Sequence, residues 1–281
     1  GIRQRRACRM RALIFDCDGV LAETERDGHR AAFNRMFAAE GLDFEWTEDD
    51  YASVLSVAGG KERLRRLCTD AFVERHGLPT EQAALDELVA LWHRRKTQIF
   101  LDLVAEGRMP SRAGVRRLAS EARAAGWRLA VASTSAVVSV EAIAEQVLGR
   151  ELLGECVIAA GDMVENKKPA PDIYLHAARL LGIDAYDAVA VEDSHVGVSA
   201  AVAAGMRVVA TVSHYTADED LTAADIVVDG LGEPDGAAIA VYKNDTKTEI
   251  KTHVALEHVA SLLGQSGAMR GAALPKVDSW K

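Results

Sequence analysis

The sequence predicts a doubly wound α/β protein with a parallel-sheet (Rossmann-like) core and a helical cap domain inserted after the first strand. Three observations lead to this prediction. An apolar, β-type run at residues 12–15 ends in Asp16 and Asp18, which are followed by a glycine. Residues 24–109 then carry helical patterns only, and after Pro110 helical segments alternate with short apolar runs. Such alternation is typical of a parallel sheet covered by helices on both faces.

The predicted cap contains four helical segments. They are residues 27–40, 48–55, 61–76 and 80–104. The first segment ends at Gly41, and Thr80 is the expected N-cap of the last. The candidate buried residues of the first segment are Ala31, Phe33, Met36 and Phe37.

The core alternates strands with helices. Strands are expected at residues 128–133, 156–159, 188–193, 207–212 and 226–228. Helices are expected at residues 111–125, with Ser111 as N-cap, and at 138–148, 172–181, 196–204 and 248–263. The predicted domains are a catalytic core of residues 11–23 and 110–264, a cap of residues 24–109 and a frayed tail of residues 265–281.

Composition excludes several classes of protein. The formal net charge of −9 argues against a nucleic-acid-binding surface, which needs a basic stripe. No stretch approaches the about 18–20 apolar residues of a membrane span. The four cysteines are scattered without C-x-x-C spacing, which predicts neither a zinc site nor a disulfide framework and indicates a reducing compartment. The Arg-rich start, residues 1–9, fits either the end of an organelle transit peptide or a segment left from cloning.

Asp16 and Asp18 stand one residue apart at the end of the first predicted strand. Side chains at positions i and i+2 of an extended segment share one face, about 6–7 Å apart, so both carboxylates can reach one reaction centre. Cys17 points to the opposite face and is expected in the core. Buried carboxylates this close repel each other, and Mg²⁺ between them would relieve the repulsion. The alternative is an acidic turn, since Asp-x-Asp-Gly is common turn chemistry.

Polar residues follow four of the apolar runs in the predicted core. The first run ends at Asp16 and Asp18, and three later ones lead into residues 133–135, 166–169 and 192–194. In open α/β sheets, ligands bind beyond the carboxyl ends of the strands, so these groups are expected to converge on one crevice. Carboxylates, a hydroxyl and a lysine together suit phosphoryl transfer through an aspartyl-phosphate. Each element alone also has an ordinary role as a helix cap, a loop or a charge at a helix N-terminus.

Four motifs in this order resemble those of the haloacid dehalogenase-like hydrolase superfamily. Phosphatases of that superfamily carry Asp-x-Asp-Gly, a strand-terminal Ser or Thr, a Lys before Pro, and an acidic pair. The matching residues here are Asp16, Asp18 and Gly19; Ser133 and Thr134; Lys168 and Pro169; and Glu192 and Asp193, followed by Gly197. The resemblance spans residues from about 11 to 230, and the position and helical content of the cap also fit.

The resemblance implies catalytic roles for the first three motifs. Asp16 would be the nucleophile, and Asp18 the general acid/base that protonates the leaving oxygen and later activates water. Ser133 would hydrogen-bond a phosphoryl oxygen, with Thr134 as a further substrate contact, and Lys168 would pair with that oxygen. Asp18 favours a phosphohydrolase or mutase over a dehalogenase, whose reaction has no alkoxide awaiting a proton.

The resemblance also implies a Mg²⁺ site. Asp16, the backbone carbonyl of Asp18, and Asp193 would hold the ion. Glu192 would lie in that shell or just behind it. Mg²⁺ is therefore the expected cofactor.

Two cap segments, residues 23–34 and 59–63, resemble CbbY-type phosphatases of carbon-fixing organisms, particularly the plant and algal branch. Gly59 and Gly60 are expected to open a helix and expose backbone N–H groups, with Lys61 and Arg63 beside them, which together predict an anion site. The alternative is a glycine loop before a solvated basic helix start.

The resemblance implies hydrolysis of xylulose 1,5-bisphosphate, an inhibitory by-product of Rubisco, to xylulose 5-phosphate. A second anion site in the cap fits a sugar that carries two phosphates. Glu23 and His29 are further candidate substrate-binding residues, and His29 fits a helix-surface or hinge position equally well. His214 and Tyr215 could line the crevice, although nothing in their spacing indicates it.

Two alternatives and several expectations complete the prediction. A β-phosphoglucomutase-like enzyme would use the same skeleton, and a phosphoacceptor signalling module would gather similar residues in a much shorter chain. The expected partner is a small phosphorylated sugar, with no nucleic acid and no membrane, and the expected state is a monomer. The expected location is the chloroplast stroma in a plant or alga, and otherwise the cytoplasm.

Overall fold

A computed structural model describes residues 10–264, which form one seven-stranded sheet flanked by helices. The strands are β1 (Ala12–Phe15), β2 (Arg128–Ser133), β3 (Cys156–Ala160), β4 (Ala188–Glu192), β5 (Arg207–Thr211), β6 (Ile226–Val228) and β7 (Val241–Asn244). Their spatial order is β3-β2-β1-β4-β5-β6-β7, and all neighbouring pairs are parallel except β6 with β7. The predicted fold class is confirmed. The Arg-rich start, Cys8 and the tail 265–281 lie outside the described residues.

Ten α-helices are present in the described part of the chain. They are α1 (Ala31–Ala39), α2 (Glu48–Val54), α3 (Gly60–Leu67), α4 (Asp70–His76), α5 (Gln82–Ala105), α6 (Val115–Ala124), α7 (Val137–Leu153), α8 (Asp172–Leu181), α9 (His195–Ala203) and α10 (Leu256–Gly264). A π-helical segment, Glu25–Arg30, leads into α1, and two 3₁₀ turns, Gly161–Met163 and Ala185–Asp187, precede α8 and β4. Within residues 10–264, no helix combines the length and apolar character that a membrane crossing needs.

The core lies on both faces of the sheet. Leu13 and Phe15 of β1 pack with residues of α6, α7 and α10, whereas Ala12 and Ile14 pack on the other side with α8 and α9. All four residues are fully buried. Burial on two faces explains why the central strands are continuous apolar runs without alternation.

The helical insert lies between β1 and β2 and comprises the π-helical segment and α1–α5. It has its own aromatic core, formed by Phe33, Phe37, Trp46, Tyr51, Phe72 and Trp92. The two linkers that join it to the sheet pair with each other, because the N–H of Glu23 donates to Pro110 (3.1 Å) and the N–H of Arg112 donates to Leu21 (3.0 Å). We propose that the core and cap domains divide at these linkers.

Three predictions about helices in the first half of the chain were wrong. The segment 61–76 is not one helix, because the Thr69 side chain accepts from the Phe72 N–H (3.3 Å) and starts α4 anew. Helix α5 is capped by the carboxylate of Glu81 and not by Thr80. Helix α6 begins after Gly114, whose N–H donates to Glu233 from a distant loop, so Ser111 is not its cap.

The sequence also predicted too much helix near the end of the chain and missed β7. Residues 248–255 bind loop backbone instead of forming helical turns, since Ile239 donates to Lys251 (2.9 Å) and Val254 donates to Leu231 (2.8 Å). Strand β7 is a partly exposed edge strand, with Tyr242 62% exposed, and carries little of the apolar signal of the buried strands.

Candidate active site

A crevice lies between the helical insert and the carboxyl ends of β1, β2 and β4. Most of the residues predicted for the site line it. These are Asp16, Asp18, His29, Gly59, Gly60, Arg63, Ser133, Thr134, Lys168 and Asp193. Tyr215 also lines the crevice. The convergence follows from the topology, because parallel neighbouring strands end at one edge of the sheet.

Lys168 lies at the centre of the buried part of the site. Its ammonium group donates to Asp16 Oδ1 (2.6 Å), to Glu192 Oε1 (2.6 Å) and to the carbonyl of Ala132 (3.1 Å). It also lies 4.9 Å above the ring of Tyr174. Burial opposes its charge, but the carboxylates of Asp16 and Glu192 outweigh burial and raise the pKa of Lys168 above its ordinary value.

Glu192 is saturated by donors from the protein itself. Oε1 accepts from Lys168 and from the hydroxyl of Tyr174 (2.6 Å), and Oε2 accepts from the N–H of Asp193 (3.0 Å). Glu192 is not among the described residues that line the crevice. Gly197 makes this arrangement possible, because a Cβ at that position would lie 2.0 Å from the Glu192 carboxylate.

Three buried carboxylates gather beside one lysine. Oxygen atoms of Asp16, Glu192 and Asp193 lie within 4.8 Å of one another. Burial raises the pKa of Asp16 to about 8 against the charge of Lys168, with Glu192 and Asp18 adding to the shift. Burial, Glu192 and Asp16 likewise raise the pKa of Asp193. One lysine cannot balance three carboxylates, so the cluster fits a divalent cation.

Gly19 closes the wall of this cluster. Its φ is +80°, and a Cβ there would lie 2.1 Å from Oδ2 of Asp193. A side chain is therefore excluded both by the backbone conformation and by the close approach of the carboxylate.

The side chain of Asp18 faces away from the cluster, toward the helical insert. Its carboxylate accepts from Thr24 Oγ1 (2.5 Å), from His29 Nε2 (2.8 Å) and from Ser135 Oγ (2.5 Å). Burial opposes ionisation, but the interaction with His29 and the hydrogen bonds from His29, Ser135 and Thr24 lower the pKa of Asp18 below its ordinary value. Asp18 is thus built as a carboxylate with three donors.

His29 connects Asp18 to a buried lysine of α5. Lys96 Nζ lies 2.7 Å from Nδ1 of His29, and the imidazole stacks on Phe100 with ring centroids 4.2 Å apart. Because an ammonium can only donate, Nδ1 accepts from Lys96 and Nε2 carries the hydrogen donated to Asp18. His29 is 3% exposed, so the helix-surface alternative is wrong.

Arg63 brings a buried positive charge from α3 into the crevice. Its guanidinium donates to the hydroxyl of Tyr51 (2.8 Å), to Glu25 Oε2 (3.4 Å) and to the carbonyl of Val57 (2.9 Å). Gly60 is the first residue of α3, as predicted, and Gly59 precedes it.

Two residues predicted to bind substrate point elsewhere. Lys61 pairs with Asp162 beyond β3 and lines a neighbouring cleft between α5 and α7. Glu23 pairs with Arg112 (3.1 Å) and is absent from the described lining of the crevice. Helix geometry explains the first difference, since positions i and i+2 lie on different faces of a helix.

Several residues at the site escaped the sequence prediction. Glu25, His93 and Lys96 line the crevice, and Arg112 binds the backbone carbonyl of Gly19 behind it. None of these four stands at a strand end within a spaced motif. Ser135 also lines the crevice, as expected for residues 133–135, but its hydrogen bond to Asp18 was not predicted. The helical residues carried no signal, because a lysine or a glutamate on a helix is usually a solvated surface residue.

A mostly parallel sheet with a helical insert and a buried acid–lysine cluster at its carboxyl edge defines an α/β enzyme with a carboxylate-based active site. The family model for haloacid dehalogenase-like hydrolase matches residues 10–205. The chain belongs to this hydrolase family.

Within this family, the chain is similar to proteins named CbbY or CBBY-like. A CBBY-like protein of Arabidopsis thaliana is 44% identical over 227 residues, covering 79% of this chain and 70% of the relative. The crystal structure of CbbY from Rhodobacter sphaeroides in complex with phosphate superposes with a TM-score of 0.69 at 42% identity, covering 79% of this chain and 94% of that chain. A mutant of the same CbbY in complex with xylulose-(1,5)bisphosphate also gives 0.69, at 41% identity and the same coverage.

Proposed function

We propose that this protein is a Mg²⁺-dependent phosphatase that hydrolyses xylulose 1,5-bisphosphate to xylulose 5-phosphate and phosphate. The observation that carries the proposal is a single crevice lined by Lys168, beside Asp16 in the core, and by Arg63, from the insert; both are buried, and Lys96, the third buried basic residue of the lining, contacts His29. A relative 41% identical to this chain binds this bisphosphate, and the same relative binds phosphate. Two cations suit a substrate with two phosphates, one to be cleaved and one to be held.

The acidic cluster supports a divalent metal as cofactor. Asp16 and Asp193 would hold Mg²⁺ together with the backbone carbonyl of Asp18. Glu192 would stay behind that shell, since its oxygens are already occupied by Lys168, Tyr174 and backbone N–H groups. The metal, when bound, supplies charge neutralisation to the carboxylates and the phosphoryl oxygens.

Asp16 and Asp18 would divide the chemistry between them. A carboxylate oxygen of Asp16 attacks phosphorus, and the bond from phosphorus to the sugar oxygen breaks. Asp18, which must first be protonated against the three donors that favour its carboxylate form, gives its proton to that oxygen. Asp18 then takes a proton from water, whose oxygen attacks the aspartyl-phosphate and releases phosphate and free Asp16. Lys168 and Ser133 would bind the transferring phosphoryl oxygens. A covalent intermediate replaces one difficult displacement by two easier ones.

The hydrogen bonds around Asp18 suit the second of these steps. Thr24, His29 and Ser135 stabilise its carboxylate form, which is the form that accepts a proton from water. Thr24 and His29 come from the insert side of the crevice, so the position of the insert and the state of Asp18 are linked.

Hydrolysis is favoured over the mutase alternative. The chain matches a hydrolase family model, and its relative at 41% identity is in complex with a ketose bisphosphate. The signalling alternative is disfavoured by the same family match.

A phosphate-release assay on a panel of sugar phosphates tests the proposal. The panel contains xylulose 1,5-bisphosphate, xylulose 5-phosphate, glucose 1,6-bisphosphate and β-glucose 1-phosphate, each with Mg²⁺ and with a chelator. We expect the highest kcat/KM on xylulose 1,5-bisphosphate, about 10–100-fold above the monophosphates, given about 1.5–3 kcal/mol for one charge-assisted contact. Chelation and Asp16→Asn should each abolish release.

Two results would contradict the proposal. One is a lack of phosphate release from every sugar on the panel. The other is accumulation of glucose 6-phosphate from β-glucose 1-phosphate, primed with a trace of glucose 1,6-bisphosphate, without free phosphate, which would favour the mutase.

The location and the assembly state are further parts of the same proposal. We propose the chloroplast stroma as the location if the source is a plant or alga, where a Calvin-cycle role would place the enzyme, and the cytoplasm otherwise; a CBBY-like protein of a plant is among the relatives. A monomer is proposed, and size-exclusion chromatography with light scattering tests it.

A further inference from the structure

Arg112 joins three segments at the carboxyl edge of the sheet. Its guanidinium donates to the carbonyl of Gly19 (2.6 Å), to that of Val212 (2.8 Å) and to that of Asp229 (2.8 Å). Gly19 follows β1, Val212 follows β5 and Asp229 follows β6. A salt bridge to Glu23 (3.1 Å) completes its contacts, and its side chain is 11% exposed.

Two of these three contacts flank Asp193. Gly19 lies so close to Asp193 that a Cβ would stand 2.1 Å from Oδ2. Val212 precedes Ser213, which lines the crevice together with Asp193. Arg112 therefore fixes the backbone on both sides of a carboxylate proposed to hold the metal, without lining the crevice itself.

Arg112 also stands on the linker that returns from the helical insert. Its own N–H donates to Leu21 (3.0 Å), and the preceding residue, Ser111, bridges to Ala22 on the outgoing linker. The same residue thus contacts both linkers of the insert and the loop beside Asp193. A planar guanidinium with five donors can hold several carbonyls at once, whereas the single ammonium of lysine cannot reproduce that fork.

We propose that Arg112 is a positioning residue that sets the metal site by fixing Gly19 and Val212 around Asp193 and tying them to the linkers of the insert. The inference rests on the proposed function for its turnover readout, and it makes a separate prediction for metal binding. Removing the fork should loosen the metal site first, and leave the contacts of the sugar phosphate with the insert largely intact.

Arg117 provides a matched control. Its guanidinium also donates to three carbonyls, those of Leu231, Gly232 and Val254, at 3.0–3.1 Å, and its side chain is 14% exposed. It pairs with Glu121 on the same helix and with Glu233, which is 43% exposed, as Glu23 beside Arg112 is 42% exposed. Arg117 therefore binds loop backbone in a similar way, but none of the carbonyls that it contacts belongs to a described residue of the crevice lining.

The test compares Arg112→Lys with Arg117→Lys in the full chain. Binding of Mn²⁺ to the substrate-free protein is measured by electron paramagnetic resonance, and kcat and KM are measured on xylulose 1,5-bisphosphate with saturating Mg²⁺. We expect Arg112→Lys to weaken Mn²⁺ binding about tenfold and lower kcat about tenfold, with KM within about threefold of wild type; one lost charge-assisted bond supports this scale. Arg117→Lys should keep Mn²⁺ affinity and kcat within about twofold while lowering the thermal midpoint comparably.

A second pair covers the case in which Arg112→Lys does not fold. Glu23→Gln and Glu233→Gln each remove the charge of a carboxylate beside an arginine, and a glutamine at position 233 can still accept from the Gly114 N–H. Only Glu23→Gln should weaken Mn²⁺ binding, by about two- to threefold. Equal Mn²⁺ affinity within either pair, or no Mn²⁺ binding by wild type, overturns the inference. Loss of the proposed function has a different signature, since a wild type that releases no phosphate from any sugar could still show the Mn²⁺ difference.

Discussion

Asp18 Oδ1 lies 2.8 Å from Nε2 of His29, so the second carboxylate of the Asp-x-Asp motif faces the helical insert. Asp16, two residues earlier, faces Lys168 in the core. The two acids of the motif therefore lie in opposite electrostatic environments. Burial raises the pKa of Asp16, whereas the hydrogen-bond donors around Asp18 lower the pKa of Asp18. Separate environments are what separate chemical roles require.

Asp18→Asn tests this division of roles. We expect kcat to fall about 10²–10⁴-fold, because an amide cannot accept the proton, while the dissociation constants for Mg²⁺ and bisphosphate stay within about threefold. Calorimetric titration measures both constants, and Asp16→Asn is the comparison, expected to weaken Mg²⁺ binding as well. If Asp18→Asn loses as much metal affinity as Asp16→Asn, the division of roles is wrong.

Arg63→Gln tests the second anion site. The change removes a buried charge from the crevice, and we expect KM for the bisphosphate to rise about 10–100-fold and KM for a monophosphate about twofold. Steady-state kinetics on both substrates measure the split. Arg65→Gln, on the same helix with a side chain 51% exposed, is the control and should change neither KM. Equal losses of Arg63→Gln on both substrates would count against a distal phosphate contact.

Lys96 makes stability depend on pH. Burial lowers the pKa of Lys96 from its ordinary 10.5 to about 8, with Glu25 and Asp18 opposing the shift and Arg63 adding to it. Between these two values the unfolded chain holds the proton and the folded protein does not, so the free energy of unfolding rises with pH across this window. Below about pH 8 the cost of the buried charge is fully present.

Urea unfolding of wild type and Lys96→Met at several pH values measures this pH dependence. Between about pH 8 and pH 10, the free energy of unfolding of the wild type should rise relative to that of the variant by up to about 1.4 kcal/mol per pH unit. Lys251→Met, at a lysine whose side chain is 72% exposed, is the control for general effects of pH. Parallel stability curves for wild type and Lys96→Met would show that Lys96 keeps its proton in the folded protein.

Gly197→Ala tests the packing behind Lys168. Gly to Ala within a helix usually stabilises by about 0.5–1 kcal/mol, but here the new Cβ would stand 2.0 Å from the Glu192 carboxylate. We expect a loss of about 1–3 kcal/mol in the free energy of unfolding and a fall in kcat, because Glu192 orients Lys168. Denaturant unfolding and turnover measure the two effects. Gly230→Ala, where a Cβ would meet no atom within 4 Å, should affect neither, and a stabilised, fully active Gly197→Ala would refute the packing role.

Much of the fold was predictable because its signals are local. The apolar runs of β1, β2, β4 and β6 have the predicted positions to within one residue, and α8 spans the predicted residues 172–181. Errors fell where a distant partner decides the local structure. Helix α6 starts where Glu233 accepts from Gly114, 119 residues apart in the chain, and no local pattern reports that contact.

The sequence by itself determined the chemistry at the strand ends, where Asp16, Ser133 and Lys168 follow apolar runs in a fixed order. Parallel strands end at one edge, so an order along the chain becomes a cluster in space. Only the tertiary structure decided which helical residues join them. Lys96 lines the crevice, whereas Lys61 points away from it and pairs with Asp162. The packing of a helix, and not its composition, determines which of its faces meets the crevice.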